Sequence, residues 1–241
     1  MYRNRKVSII LPAYNERENI RACIEEFFLH PAVDEVIAVD NRSTDGTKAE
    51  IQHTHAKYVY EEVPGYGSAL RRGMKEACGE ILVTVEPDGT FSVKDLEKLL
   101  IYSEDFEIVL GTRTSRALIW SGAYMPFSVR IGNWAVAKLL EYLFNGPSLT
   151  DVGCTYKLIK RHAYEQTVGG FTVNGSYFSP EFIIRGLQAK MSCAEIPVHY
   201  GSRIGTSKIT GNAWHAIVLG FVMIKFIISE RIWPTWKPKK T

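Results

Sequence analysis

The feature that most constrains the fold is the alternation of short apolar runs with helical stretches through the first half of the chain. The first run, at 7–11, is apolar apart from Ser8 and stops at Pro12, as a strand buried on both faces does. Apolar residues recur at helical spacing over 16–29. Further strand-like runs follow, with helical stretches between them, at 35–39, 58–60, 80–85 and 107–111. The pattern predicts an α/β fold with a mostly parallel sheet flanked by helices.

Polar residues stand where these predicted strands end. Asp40 follows the second strand, Glu86 and Asp88 follow the fourth, and Arg113 follows the fifth. In open parallel sheets, ligands bind beyond the carboxyl ends of the strands. The sequence therefore predicts that these side chains converge on one crevice.

The second half of the chain is less regular. The segment at 115–127 has no clear period and is expected to form a loop over the crevice. Helical spacing continues over 128–144, and strands are predicted at 156–159 and 193–198. Ser179-Pro180 predicts a helix start with a serine cap and proline at the first helical position.

Charge and cysteine content exclude some classes of protein. The net charge of +3 is small, whereas a nucleic-acid-binding protein is expected to carry a stripe of basic residues, so no nucleic-acid partner is predicted. The four cysteines form no CxxC pair, which favours reduced thiols in the cytoplasm. No long apolar run follows Met1, so no signal peptide is expected.

The C-terminal segment, 213–241, is predicted to be an amphipathic helix with a basic tail, appended to a domain at 1–212. Its apolar stretch is interrupted by His215, Gly220 and Lys225 and falls short of the ~20 apolar residues of a spanning helix. Tryptophans and cations follow, a mixture that suits a membrane surface. Two interpretations stay open: a helix lying on the cytoplasmic membrane face, or one packed on the core.

The acidic strand end is the first chemical signal. Glu86 and Asp88 are one position apart, and Gly89 allows a sharp turn after them. Hard cations such as magnesium and manganese prefer carboxylate oxygens, and such a cation neutralises the charge that grows on a departing diphosphate. Acidic turns are common, so this pair indicates a metal site only if other motifs in the sequence support it.

Several motifs supply that context. Ser8-Ile9-Ile10-Leu11-Pro12-Ala13-Tyr14-Asn15-Glu16, Val39-Asp40-Asn41-Arg42-Ser43-Thr44-Asp45-Gly46-Thr47 and Gly65-Tyr66-Gly67-Ser68-Ala69-Leu70 precede the acidic strand end. In this order they resemble the family 2 glycosyltransferases with the GT-A (Rossmann-like) fold. Within that family, 150–156 and 203–208 are most similar to the dolichyl-phosphate sugar synthase group.

The resemblance implies an inverting enzyme that moves a sugar from a UDP- or GDP-linked donor, with manganese or magnesium as cofactor. The implied acceptor is a polyprenyl phosphate, in the synthesis of a cell-envelope glycan. Asp88 and Glu86 are the expected metal ligands. The expected donor-binding residues are Pro12, Ala13, Tyr14, Glu16, Asp40, Gly67, Glu86, Asp88, Arg113, Arg203 and Lys208.

Asp151 is the candidate catalytic base, because transfer to a hydroxyl needs a carboxylate that takes a proton. For a lipid phosphate, which is already ionised, Asp151 would orient a substrate instead. Glu181 is an alternative acid. The pair His53 and His55 has no third ligand nearby and predicts no metal site.

The chain departs from the family pattern at two places. Glu86-Pro87-Asp88 replaces the usual Asp-x-Asp, and 152–156 lacks the usual Phe-Arg ending. Two alternatives therefore stay open: a transferase acting on a glycan or small-molecule hydroxyl, and a nucleotide-sugar-binding protein without activity.

Overall fold

The computed structural model describes residues 1–120, 122–123, 127–203 and 213–238. Its central sheet is built from Val7–Ala13 (β1), Glu35–Asp40 (β2), Lys57–Tyr60 (β3), Ile81–Thr84 (β4), Ile108–Thr112 (β5), Lys157–Lys160 (β6) and Cys193–Pro197 (β7). Their order across the sheet is β3-β2-β1-β4-β6-β5-β7. Each strand coincides with a predicted run, apart from its terminal residues.

Strand direction brings the polar residues to one edge. β6 pairs antiparallel with β4 and β5, whereas every other pairing of these strands is parallel. The carboxyl ends of β1, β2, β4, β5 and β7 therefore meet at the same edge as the residues that lead into β6. The prediction of a mostly parallel sheet is confirmed.

The helices are Ile20–Phe28 (α1), Thr47–Gln52 (α2), Tyr66–Glu76 (α3), Asp95–Tyr102 (α4), Phe127–Phe144 (α5), Arg161–Thr167 (α6), Phe178–Gln188 (α7) and Ala213–Ile232 (α8). α4 and α6 have no counterpart among the predicted elements. They join consecutive strands, so the chain alternates between strand and helix further than the pattern indicated.

The start of α7 differs from the prediction. Its cap is Tyr177, and no side chain there bonds the helix end. Ser179 lies inside the first turn, where its hydroxyl accepts a hydrogen bond of 2.6 Å from the buried ammonium of Lys157. The predicted serine cap is wrong because this hydroxyl serves a partner on β6.

Alternate residues of the strands point into two apolar layers, one on each face of the sheet. Ile9 and Leu11 face α1 and α4, whereas Ile10 faces α3 and the layer that also holds α5, α7 and α8. Burial on both faces explains why the β1 sequence is almost wholly apolar.

α8 packs on the core. Met223 and Ile227 are buried in the apolar layer that contains α5 and α7. Glu230 pairs with the guanidinium of Arg185 on α7, and both side chains are buried. Burial would raise the pKa of Glu230, but hydrogen bonds from Arg185 and Thr235 outweigh it and hold that pKa below its usual value. Across the described residues, no helix is long and apolar enough to cross a membrane.

Candidate active site

The ends of β1 and β2 form one wall of the crevice. Ala13 lies opposite Asp40 in the sheet register, and Asp40 is buried. The Asp40 carboxylate accepts hydrogen bonds from the main-chain N of Ser43 at 2.9 Å and from the Tyr58 hydroxyl at 3.1 Å. These bonds fix the orientation of Asp40 beside the end of β1.

The turn after β1 is tied to the loop after β2. Asn15 has a φ of 57°, in the left-handed region that asparagine tolerates. Its main-chain N donates to Ser43 Oγ at 3.0 Å, and its side-chain oxygen accepts from Thr44 N at 2.8 Å. The main-chain N of Glu16 donates to Thr47 Oγ1 at 2.9 Å. The structure thus brings Asp40 together with Pro12, Ala13, Tyr14 and Glu16.

Asp88 has one oxygen fixed and one directed at a cation. Its side chain is 1% exposed, and Oδ1 accepts from Thr90 N at 3.0 Å and Thr90 Oγ1 at 2.5 Å. Within the described part of the chain, no group makes an aligned hydrogen bond to Oδ2. Arg203 Nη2 lies 2.8 Å from Oδ2 as an ion pair. A buried carboxylate oxygen without a hydrogen-bond donor is uncommon, and it gives Oδ2 the character of a ligand atom.

Glu86 belongs to the same charge cluster. Its Oε2 lies 3.7 Å from Arg203 Nη2. Burial, followed by the nearby charge of Asp88, raises the pKa of Glu86 to about 7. The described residues contain no group of three or more His, Cys, Asp or Glu that could hold a metal. The two carboxylates are therefore a partial donor set, of the kind that substrate phosphates and water complete around magnesium.

The segment after β7 carries Arg203 to the acidic pair. Gly201 N donates to Thr90 O at 2.8 Å, and Tyr200 N donates to Leu118 O at 2.9 Å. The segment is thus tied to the loop that orients Asp88 and to the short 3₁₀ helix Arg116–Leu118, which lies within the predicted loop over the crevice. Lys208, the predicted partner of Arg203, lies outside the described residues.

Arg113 and Asp151, which the sequence suggested separately, form one buried ion pair. Asp151 Oδ2 accepts from Arg113 N at 3.1 Å and Nε at 2.7 Å, and Oδ1 accepts from Nη2 at 2.9 Å. Gly153 N also donates to Oδ1, at 3.1 Å. Burial would raise the pKa of Asp151, but the charge and hydrogen bonds of Arg113 outweigh it and the pKa is lowered. Asp151 is a fixed anion with both oxygens engaged.

Tyr200 connects the two ion pairs. Its ring centroid lies 5.3 Å from Arg113 Cζ, a cation–π distance. Burial raises the pKa of Tyr200, and four charged groups around the crevice also act on it: Arg113, Asp88, Arg203 and Glu86. Tyr200 therefore lies near both ion pairs, at the same edge of the sheet.

Sequence reasoning missed two polar residues that organise the site. Glu195 on β7 accepts hydrogen bonds from Thr150 N, Thr150 Oγ1 and Asp151 N at 2.6–3.0 Å, which fixes the approach to β6. Asn41 accepts from Gly65 N at 2.7 Å and donates to the Val63 carbonyl at 2.8 Å. Asn41 lies inside the motif from Val39 to Thr47, and this was its only sequence indication of a role at the site. Glu195 carried none, because its partners are distant in sequence.

Gly67 is required by internal packing. A Cβ there would collide with the carbonyl of Val173 and approach the side chain of Phe178. Gly67 N donates to the carbonyl of Asn174 at 2.7 Å. The start of α3 is therefore seated on the segment before α7, and glycine is needed on that side.

Two minor candidates lie elsewhere. Glu181 is buried in α7, where it accepts hydrogen bonds from Thr172 N and Val173 N, each at 3.0 Å. It holds this segment in place and is not an alternative base in the crevice. His53 and His55 follow α2 and belong to no metal cluster among the described residues.

The site thus combines a carboxylate pair facing an arginine with a second arginine–carboxylate pair, at the edge of the sheet where β1 and β2 also end. The family model for glycosyl transferase family 2 matches residues 8–168, which contain all of these elements except the segment after β7. An uncharacterized glycosyltransferase of Mycobacterium tuberculosis is 29% identical over 214 residues, covering 88% of this chain and 93% of that protein.

Solved structures agree with this fold. A crystal structure of glucosyl-3-phosphoglycerate synthase from Mycobacterium tuberculosis with Mn²⁺, UDP and glucosyl-3-phosphoglycerate has a TM-score of 0.68 at 18% identity, covering 95% of this chain and 80% of that one. A complex of that synthase with Mg²⁺ and UDP has a TM-score of 0.65 at 18% identity, covering 95% and 79%. At this identity the likeness establishes the fold, which is GT-A. With the family model spanning most of the sheet, the chain belongs to glycosyl transferase family 2.

Proposed function

We propose that this glycosyltransferase is an inverting, metal-dependent enzyme that moves a sugar from a UDP- or GDP-linked donor to a phosphate acceptor. The observation that carries the proposal is the buried Oδ2 of Asp88, which has no aligned hydrogen bond among the described residues and lies 2.8 Å from the guanidinium of Arg203. An atom of this kind suits a metal–diphosphate complex.

The residues present fit a divalent cation. Asp88 Oδ2 and the Glu86 carboxylate are hard oxygen donors near each other, and Thr90 holds Asp88 in one orientation. When bound, manganese or magnesium would supply Lewis-acid stabilisation of the leaving diphosphate. The synthase structures with Mn²⁺ or Mg²⁺ and UDP support this proposal by likeness of fold.

The ends of β1 and β2 are the proposed site of the base and ribose. Asp40 has a fixed carboxylate there, and Tyr14 is half-exposed beside it. A carboxylate accepts hydrogen bonds from ring N–H or ribose hydroxyl groups. Uracil and guanine both carry such donors, so both nucleotides fit. Gly67 contributes by setting the position of α3.

On the acceptor side, the state of Asp151 favours a phosphate over a hydroxyl. A general base needs a lone pair directed at the acceptor proton, whereas both oxygens of Asp151 accept hydrogen bonds from Arg113 and Gly153. Its lowered pKa also makes it a weak base. An ionised phosphate needs no base, so Asp151 would act by orienting Arg113 toward the acceptor or donor.

The outer side of α5 and α8 favours a lipid phosphate. These packed helices expose apolar side chains, namely Ile131, Trp134, Tyr142, Val218, Phe221, Val222, Ile228 and Ile232, and Trp233 is exposed directly after α8. Lys225 and Arg231 are exposed on α8, whose one acidic residue, Glu230, is buried. Apolar and aromatic side chains with cations suit an anionic membrane surface. We therefore propose polyprenyl phosphate as acceptor, in peripheral contact with the cytoplasmic membrane face.

Transfer assays would test the proposal. UDP- and GDP-sugars are supplied with Mn²⁺ and one of three acceptors: polyprenyl phosphate in vesicles, 3-phosphoglycerate, or an oligosaccharide. We expect product with polyprenyl phosphate. Product with 3-phosphoglycerate would replace the lipid acceptor by a small phosphate, of the kind represented by the phosphoglyceric acid in a complex of the solved synthase. Product with the oligosaccharide alone would contradict a phosphate acceptor, and donor binding without turnover would identify a non-catalytic binder.

A further inference from the structure

Arg203 stands where the proposed metal would bind. Its Nη2 lies 2.8 Å from Asp88 Oδ2 and 3.7 Å from Glu86 Oε2. The other oxygen of Asp88 is already bonded to Thr90. Among the described residues, Arg203 is therefore the cation that faces Oδ2, the oxygen of Asp88 that has no aligned hydrogen bond there.

The contact between Arg203 and Asp88 can be broken at a low cost in free energy. The guanidinium makes no aligned hydrogen bond with Oδ2, and the Arg203 side chain is 30% exposed. Its backbone segment is held through the bond from Gly201 N to the Thr90 carbonyl, 2.8 Å long. The side chain can thus leave Asp88 while its Cα stays beside the acidic pair.

A guanidinium and a divalent cation compete for the same oxygen. Metal–oxygen bonds to magnesium are about 2.0–2.1 Å long, so the cation needs the space that Nη2 occupies, and two positive charges repel at that distance. A diphosphate reverses the balance, because its oxygens give the displaced guanidinium a charge-assisted, two-point partner.

We propose that Arg203 is the counterion of Asp88 in the metal-free enzyme and makes metal binding conditional on the diphosphate. The metal alone must displace Arg203 without compensation. Metal and diphosphate together move Arg203 from Asp88 to the phosphate oxygens. This inference rests on the proposed function, since it takes Asp88 as a metal ligand.

The coupling has a measurable size. Whatever factor a nucleoside diphosphate adds to metal affinity, the metal adds to nucleotide affinity, because linkage is reciprocal. Removing the Arg203 charge should tighten binding of metal alone by about 5- to 100-fold, and reduce the factor gained from the diphosphate, in the range typical of coupled sites.

Binding of Mn²⁺ can be followed by the paramagnetic resonance signal of the free ion, without any turnover. Titrations are run with Mn²⁺ alone, with Mn²⁺ and UDP, and with Mn²⁺ and GDP. We expect Arg203→Gln to bind Mn²⁺ alone more tightly than the native enzyme, with a smaller gain on adding nucleotide. Arg203→Lys keeps the charge but loses the planar fork, and should lie between the two.

Two further variants separate the outcomes. Arg21→Gln removes a charge from an exposed pair on α1 and should leave Mn²⁺ affinity unchanged, which excludes a general effect of net charge. Asp88→Asn combined with Arg203→Gln should abolish the tighter binding. An unchanged or weaker affinity of Arg203→Gln for Mn²⁺ alone, where Asp88→Asn still abolishes binding, overturns this inference and leaves the metal site. Binding of Mn²⁺ that is insensitive to Asp88→Asn overturns the metal site and this inference together.

Discussion

Arg113 and Asp151 are joined through the main-chain N, Nε and Nη2 of the arginine, at 3.1, 2.7 and 2.9 Å from the carboxylate oxygens. Both side chains are largely buried, so neither charge has much water as an alternative partner. Removing one partner of such a pair leaves an uncompensated charge, whereas removing both does not.

The variant Asp151→Asn should therefore lose about 3–5 kcal/mol of unfolding free energy, measured by urea denaturation. The double variant Arg113→Gln, Asp151→Asn should recover part of that loss without recovering transfer activity. A double variant as unstable as the single one would mean that the charge of Arg113 is not what makes Asp151 necessary.

Asp88→Asn should abolish Mn²⁺-dependent transfer, with a loss of at least ~100-fold in kcat, the scale typical of losing transition-state charge stabilisation. The amide oxygen of asparagine can still accept from Thr90, so the melting temperature should change little. Glu86→Gln is the matched comparison, and should lose less because Glu86 is not tied by Thr90. Native activity in Asp88→Asn at limiting metal would rule out Asp88 as the metal ligand.

The buried ammonium group of Lys157 should make the free energy of unfolding depend on pH. Burial lowers its pKa to about 8, so between pH ~8 and its unfolded value near 10.4 the unfolded chain binds the extra proton. Stability contributed by this group therefore rises with pH across that window, and the penalty is fully present below it. Tyrosines and thiols with raised pKa values change stability with pH in the opposite direction. The test therefore compares the native protein with a variant that lacks Lys157, so that these contributions cancel.

We expect Lys157→Met to be more stable than the native protein by about 1–3 kcal/mol at pH 7, and the advantage to shrink as pH approaches 10.4. Urea denaturation at several pH values measures it. Ser179→Ala is the control, because it removes the bond to Lys157 and leaves the charge. A pH-independent difference would show that the pKa of Lys157 is the same in the folded and unfolded protein, so that burial does not lower it.

If the protein contacts a membrane through the outer side of α5 and α8, then substitution of exposed apolar residues there should weaken its binding to vesicles. Phe221→Ser with Trp233→Ser should weaken sedimentation with anionic vesicles by at least ~10-fold, since each exposed aromatic buries apolar area in the interface. Added salt should weaken native binding further. Leu29→Ser removes an exposed apolar side chain elsewhere and should have no effect, and equal losses in both variants would contradict a specific face.

The first half of the fold could be predicted because its signals are local. The strands from β1 to β5 are short apolar or β-branched and aromatic runs bounded by turn residues, and the exits of β2, β4 and β5 carry polar groups of the site. The position of β6 between β4 and β5 could not be predicted, since it depends on pairing across distant segments. The same applies to its antiparallel direction.

The site was predictable as a set of residues but not as a set of pairs. Arg113 and Asp151 were inferred separately, although each is the other's partner. Arg203 was inferred as a phosphate ligand, although in the structure it faces Asp88. Spacing indicates which residues reach an edge of a sheet, whereas pairing depends on side-chain direction and burial, which the pattern does not contain.

The ion pair between Arg185 and Glu230 also has a consequence for how the chain folds during synthesis. The two residues are 45 positions apart, and Arg185 is fully buried on α7. Until Glu230 has been made, Arg185 has among its described ion-pair partners only Glu181, one turn earlier on α7, at 3.3 Å, so its burial is less well compensated than in the finished fold. The sheet face covered by α1 and α4 can close early, because it needs no residue of α8. The opposite face is completed only after α8 has been synthesised. Until then, the nascent protein should expose the apolar surface of that face, and chaperones should bind there.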